Sequence, residues 1–174
     1  MLGDSHMKHG QWDSLGVHAY NFGVGGEKIA GVIKQADRVR MYKPTTCFIE
    51  CSANDIHWDS GYAQITRDYR RLIDTMSLLC SPIAVKVPYV GKDYPRSDTF
   101  NMMVARVNTY IDSLGIPTID LNRLVSADGY MKQEYVMPDG IHMNEEGYKL
   151  FAQSVKCWLY RREMDKWYNR LLLW

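Results

Sequence analysis

The sequence predicts an α/β protein of three layers, a parallel sheet with helices on both faces. Two observations carry this reading. Four short apolar runs rich in β-branched residues read as strands: "GVHAYNF" (16–22), "TTCFIEC" (45–51), "PIAVKV" (82–87) and "PTIDL" (117–121). Each is followed by a segment whose apolar residues recur at helical spacing. Strands that alternate with helices pair in parallel and bury both sheet faces.

In chain order, "GDS" from Gly3 looks like a strand-to-helix turn, although only Met1 and Leu2 precede it. The first strand is therefore expected to be truncated, or its place to be taken by "RLLLW" (170–174) lying beside the N-terminus. A longer final helix is the alternative for that segment. After the first full strand comes "YNFGVGGEKI" (20–29), a glycine-rich stretch that leads into a helix. It fits neither a Walker loop, since Glu27 follows Gly26, nor a dinucleotide fingerprint, since Lys28 stands at the third glycine position. The next long helix places Ile65, Tyr69, Leu72, Ile73, Met76 and Leu79 on one face. Another places Val104, Val107, Ile111 and Leu114 together, and "NEEGYKLFAQSVKCWLY" (144–160) closes the pattern. Residues 1–160 are expected to form one domain. Residues 161–174 are expected to extend it as helix, tail or sheet-completing strand.

Composition narrows the function classes. The chain has 174 residues, enough to bury a core without staples, and 46% of them are hydrophobic. A net charge of +1 gives no electrostatic reason to expect nucleic acid as a partner. No apolar run is long enough to span a bilayer, and no charged-then-apolar leader opens the chain. Compartment and oligomeric state are left open by the sequence. Of four cysteines, Cys47 and Cys51 are spaced to share one strand face and read as buried, while Cys80 and Cys157 stand alone. Neither a metal site nor a cofactor is implied.

In parallel α/β sheets ligands sit beyond the C-terminal strand ends, so the polar residues just after each strand are the ones to weigh. Four such segments stand out: "GDSH" (3–6), "NFGVGGE" (21–27), "CSANDIH" (51–57) and "PDGIHMN" (138–144). Singly, each has a plainer explanation as a turn or a cap. Together and in this order they resemble the SGNH hydrolases, also called the GDSL esterase/lipase family. The resemblance runs from residue 3 to about residue 158. "YNFGVGGE" and "DGIHMNEEGY" look especially like small esterases of the platelet-activating-factor acetylhydrolase catalytic-subunit type. There are departures: "GDSH" stands for "GDSL", and Ser52-Ala53-Asn54-Asp55 keeps the third block's asparagine without its glycine.

The resemblance implies a flavodoxin-like sheet of about five strands and a metal-free, cofactor-free serine esterase. Ser5 would be the nucleophile, His142 its base, and Asp139 the residue that fixes the imidazole tautomer. The N–H groups of Ser5 and Gly26 and the side-chain amide of Asn54 would form the oxyanion hole, with Gly23 and Gly25 shaping the turn. Gly26 is expected there because, without a Cβ, its backbone can approach the reacting oxygen.

Other histidines compete. His6 neighbours Ser5 and is expected to point elsewhere, and His9 reaches the site only if the turn is helical. His18 is expected to pack within a strand. His57, Trp58 and Tyr89 are candidates for the substrate border. Asp4 and Asp55 are expected to stabilise turns. No long inserted lid is evident, which favours short acyl groups, with acetyl on a carbohydrate or similar alcohol first. A lysophospholipase or thioesterase, or a silent glycan- or partner-binding member, are the alternatives.

Overall fold

A computed structural model describes the backbone of residues 1–171 and the side chains of residues 1–165. Strands β1 (Leu2–Gly3), β2 (Phe22–Gly23), β3 (Thr46–Glu50), β4 (Ser81–Val85) and β5 (Thr118–Ile119) form one parallel sheet in the order β2-β1-β3-β4-β5. This is the flavodoxin-like order. Connections leave β1 in one direction and β3 in the other, and the crevice between them opens beyond the C-terminal strand ends.

Alternation along β3 divides the core. Cys47 and Ile49 face one side, where they pack with residues of α2 (Ile29–Lys34), α3 (Ala36–Tyr42), α5 (Tyr62–Ser77) and α6 (Ser97–Ser113). Phe48 faces the other, against Met7 of α1 (Ser5–His9), Trp12 of a 3₁₀ turn, Val125 of α7 (Asn122–Val125), and Phe151 and Val155 of α8 (Glu145–Leu171). A short helix α4 (Ala53–His57) follows β3, and a small hairpin pairs β6 (Ser126–Ala127) with β7 (Tyr130–Met131). Each large apolar side chain so buried contributes about 1.5–3 kcal/mol. Ile65, Tyr69, Leu72, Ile73 and Met76 of α5 are all buried, as their spacing predicts.

Two strand expectations need correction. "GVHAYNF" forms a strand only from Phe22, because β1 starts at Leu2 and offers partners to Phe22 and Gly23 alone. Val17, His18 and Tyr20 are exposed, and His18 stacks edge-on against Tyr20 at 4.6 Å instead of packing within a strand. The first-strand position is held by Leu2 and Gly3 themselves, which pair with Ile49 and Glu50. Thr46, Cys47 and Phe48 have no β1 partner among the described residues. A cavity of ≈ 350 Å³ opens there, lined by Met1, Tyr20, Phe22 and Cys47, at the end of the sheet away from the polar loops. "RLLLW" does not fill it as far as it is described: α8 continues through Leu171, and residues 172–174 lie outside the described residues.

Candidate active site

Ser5 is the first residue of α1, immediately beyond β1. Asp4 caps that helix, its Oδ1 accepting from His6 N–H at 3.0 Å. The backbone N–H of Ser5 is one of the donors a helix start leaves without an intrahelical partner, and no acceptor meets it among the described residues.

His142 Nε2 lies 2.8 Å from Ser5 Oγ, and His142 Nδ1 lies 2.7 Å from Asp139 Oδ2. Oδ1 of Asp139 accepts from the backbone N–H groups of Ile141 and His142, both at 3.0 Å. Burial pushes the Asp139 carboxyl up, but the bonds from the His142 ring and from these two amides outweigh it and hold its pKa below the ordinary value. A carboxylate only accepts, so Nδ1 carries the ring proton and Nε2 presents its lone pair to the Ser5 hydroxyl. The side chains of His142 and Asp139 are 29% and 43% exposed, so the pair is open to solvent.

The loop carrying this pair is held from several sides. Buried Asn101 and Asn108 and half-buried Asn122 satisfy the backbone of Val87, Tyr89 and Val90, which leave the sheet after β4. That fixes Gly91, whose N–H donates to Gly140 O at 2.7 Å. Met137 N–H donates to His142 O at 2.8 Å.

Gly26 and Asn54 are linked to Ser5 through their chain neighbours. Asn54 Nδ2 donates to Glu27 O at 3.0 Å and, more weakly, to Asp4 Oδ2 at 3.4 Å. One amide thus joins the residue after Gly26 to the residue before Ser5. The backbone adds its own reason for a glycine at 26. A Cβ there would meet no protein atom within 4 Å, but φ is +75°, a conformation costing other residues about 1–2 kcal/mol. Close packing within the chain falls on Gly23, where a Cβ would sit 2.2 Å from Lys8 N. Ser52, which stands for the glycine of the third block, keeps φ at 110°, so the glycine-like backbone persists with a side chain on it.

Among the other candidates, His6 points away from Ser5, into a fully buried group with Asp4 and Glu50. His9 lies on the helical turn with its ring 5.9 Å from that of His142; burial, then His142 and Lys8, lower its pKa. Asp55 Oδ2 accepts from Ile29 N–H and so caps α2, as a turn-stabilising role implies. His57 shares a hydrogen bond with the Tyr94 hydroxyl and stacks edge-on with exposed Trp58. Tyr94 packs against Gly140, which ties this aromatic group to the His142 loop. Tyr89 is turned inward, half-buried against the core. Glu50 was not legible as a site residue; its one signal is a lone carboxylate ending an apolar strand. Among the described residues, Asp4, His6 and Glu50 are the group whose spacing could hold a metal, their ligand atoms lying within 4.8 Å of one another.

The sheet order and the serine, histidine and aspartate gathered at its C-terminal edge define a class, and sequence comparison agrees. The chain belongs to the GDSL-like lipase/acylhydrolase family, whose profile matches residues 3–150, and it is a hydrolase. No curated protein matches it. A proposed platelet activating factor from Streptococcus pneumonia has a similar structure, with a TM-score of 0.77 and 18% identity over 91% of this chain and 81% of its own. A GDSL-like lipase from Bacteroides thetaiotaomicron gives 0.74 and 16% over 92% and 86%. A carbohydrate esterase family 3 protein from Talaromyces cellulolyticus gives 0.66 and 18% over 82% and 71%. No helix among the described residues is long and apolar enough to cross a membrane.

Proposed function

We propose that the protein is a serine esterase that removes short acyl groups, acetyl foremost, from a carbohydrate or similar alcohol. The observation that carries this is the unbroken chain Ser5 Oγ–His142–Asp139, with contacts of 2.8 and 2.7 Å. Ser5 Oγ attacks the ester carbonyl carbon while His142 Nε2 takes its proton. Asp139 stabilises the resulting imidazolium. The carbonyl oxygen becomes an oxyanion held by the N–H groups of Ser5 and Gly26 and by Asn54 Nδ2, which gives up its weak 3.4 Å bond to Asp4 to do so. Collapse expels the alkoxide, which takes the proton from His142, and leaves an acyl group on Ser5. Water then attacks the acyl carbon as His142 takes its proton, and collapse returns that proton to Ser5 Oγ and releases the acid.

Three features support a small acyl group. The acid–base pair is partly exposed, no long insertion covers it among the described residues, and the neighbouring side chains His57 and Trp58 are exposed aromatics suited to a sugar face. The structural likeness to a carbohydrate esterase is in keeping with this substrate class. A series of p-nitrophenyl esters of increasing acyl length tests it, and kcat/KM is expected to be greatest for acetate. A maximum at eight carbons or beyond would instead favour a lipase or thioesterase, and no turnover at any length a binding protein.

Asn54→Ala is expected to lower kcat for p-nitrophenyl acetate by about 10²–10³-fold with little change in KM, because an oxyanion donor acts mainly in the transition state. A loss confined to KM would remove Asn54 from the oxyanion hole.

A further inference from the structure

The bond between Ser5 and His142 cannot by itself hold nucleophile and base in register, since its proton moves during the reaction. The structure contains a second link beside it. His6, next to Ser5, places Nε2 at 3.1 Å from the carbonyl oxygen of Ile141, next to His142. Of three successive carbonyls in the loop, Gly140 O is taken by Gly91, His142 O by Met137, and Ile141 O by His6. Among the described residues these two links are the hydrogen bonds that join α1 to the loop.

The other side of the His6 ring explains how it is held. Nδ1 stands 3.5 Å from Asp4 Oδ1 and 3.6 Å from Glu50 Oε2, with all three side chains sealed from solvent. Neither oxygen of the Glu50 side chain has a hydrogen-bond donor among the described residues. A buried carboxylate is costly without a cation: burial first, and then Asp4, push the Glu50 carboxyl well up, and His6 is the ion-pair partner that pulls it back down. The thiol of Cys51 and the phenols of Tyr69 and Tyr148 also face this group; burial above all, with the Glu50 charge among the lesser causes, pushes all three up, so they stay neutral. The rings of His142, 5.7 Å away, and of His9 stand on the site side.

We propose that His6 is a positioning residue: charged between Asp4 and Glu50, it donates Nε2–H to Ile141 O and locks the loop bearing Asp139 and His142 to the helix bearing Ser5. This rests on the esterase reading given above. Charge on the ring matters because of the tautomer. A neutral His6 has one proton for two acceptor sides: on Nε2 it keeps the Ile141 bond but turns a bare Nδ1 toward Asp4 and Glu50, and on Nδ1 it gives that bond up. Deprotonation therefore weakens the link. Burial alone lowers the His6 pKa, but Glu50 and Asp4 together outweigh it and raise the value to about 9. A raised value means that the stabilisation is complete below the unfolded pKa of about 6.5 and is lost as pH rises through about 9.

His6→Asn keeps a polar group near Nδ1 but has no donor that reaches Ile141, whereas His6→Gln places an amide N–H near Nε2. For p-nitrophenyl acetate at pH 7.5, His6→Asn is expected to lose about 10²-fold in kcat with KM within a factor of about two, as misplacing catalytic groups by about an ångström does. His6→Gln is expected to recover at least about ten-fold of that loss. Glu50→Gln is expected to shift the alkaline fall in wild-type activity to lower pH and to flatten the fall in Tm with rising pH. Long-range ¹H–¹⁵N spectra of the wild type supply a readout that needs no turnover. His6 is expected to appear as an imidazolium with a protected Nε2–H at pH 7.

Equal losses in the Asn and Gln variants, or an unimpaired folded His6→Asn enzyme, would overturn the proposal. A neutral His6 at pH 7 would do the same, as would one equivalent of bound metal in the purified protein. If the wild type hydrolyses no ester, the esterase reading fails while the spectra still decide the link.

Discussion

Ser5→Ala is expected to lower kcat for p-nitrophenyl acetate by about 10⁵–10⁶-fold, leaving little beyond the contribution of the oxyanion hole and binding. The loss should be chemical and not structural. The Ser5 hydroxyl is half-buried and, among the described residues, bonded to His142 Nε2 alone, so its removal costs only about 0.5–1.5 kcal/mol and Tm should move by a few degrees. A serine-directed fluorophosphonate should label wild type at Ser5 and leave the variant unmodified. Residual turnover within ten-fold of wild type would sink the nucleophile assignment and leave the hydrolase without its proposed chemistry.

The residues in this argument were legible because the topology makes them so. In a parallel sheet every strand discharges its chain at the same edge, so polar residues after successive strands meet in space whatever their separation in sequence. Ser5 and His142, 2.8 Å apart, come from opposite ends of the chain. Asp139 was legible for a local reason, since three residues on a turn bring carboxylate and imidazole together. A positive φ at Gly26 and crowding by Lys8 at Gly23 each call for glycine. That distinction needs coordinates, because both demands leave the same letter in the sequence.

Other features could not be read from the pattern. "GVHAYNF" has strand composition, but a strand also needs a partner, and β1 supplies one only to Phe22 and Gly23. Glu50 was hidden for a related reason. A carboxylate closing an apolar strand looks solvent-facing until the turn at Asp4 and the start of α1 are laid over it. The altered third block carried a sharper signal than its spelling suggested. Ser52 occupies a left-handed backbone with its side chain buried, a strain of about 1–3 kcal/mol just before Asn54. The fold thus retains the backbone turn that presents Asn54 even where the glycine is gone.

Asp139→Asn should cost about 10⁴-fold in kcat, nearly as much as losing the nucleophile, though it replaces a single atom. The loop dictates which way the new amide turns. Oδ1 of Asp139 is bonded to two backbone N–H groups, from Ile141 and His142, and only an oxygen can accept them. The carboxamide oxygen therefore stays on those amides, and its NH₂ group takes the place of Oδ2 at 2.7 Å from His142 Nδ1. A donor there forces Nδ1 to accept and moves the ring proton to Nε2. The imidazole then meets Ser5 with an N–H and can no longer take the serine proton. The fold is unaffected, because the turn keeps both backbone bonds. Alanine at 139 would lose those bonds as well, so it should lower Tm further and mix a structural defect with the chemical one. Nitrogen-15 shifts of His142 should report a proton on Nε2 in the asparagine variant and on Nδ1 in wild type at the same pH. A loss of activity under ten-fold, with the tautomer switched, would show that His142 is not the base and that another group, such as His9 with its ring 5.9 Å from that of His142, deprotonates Ser5.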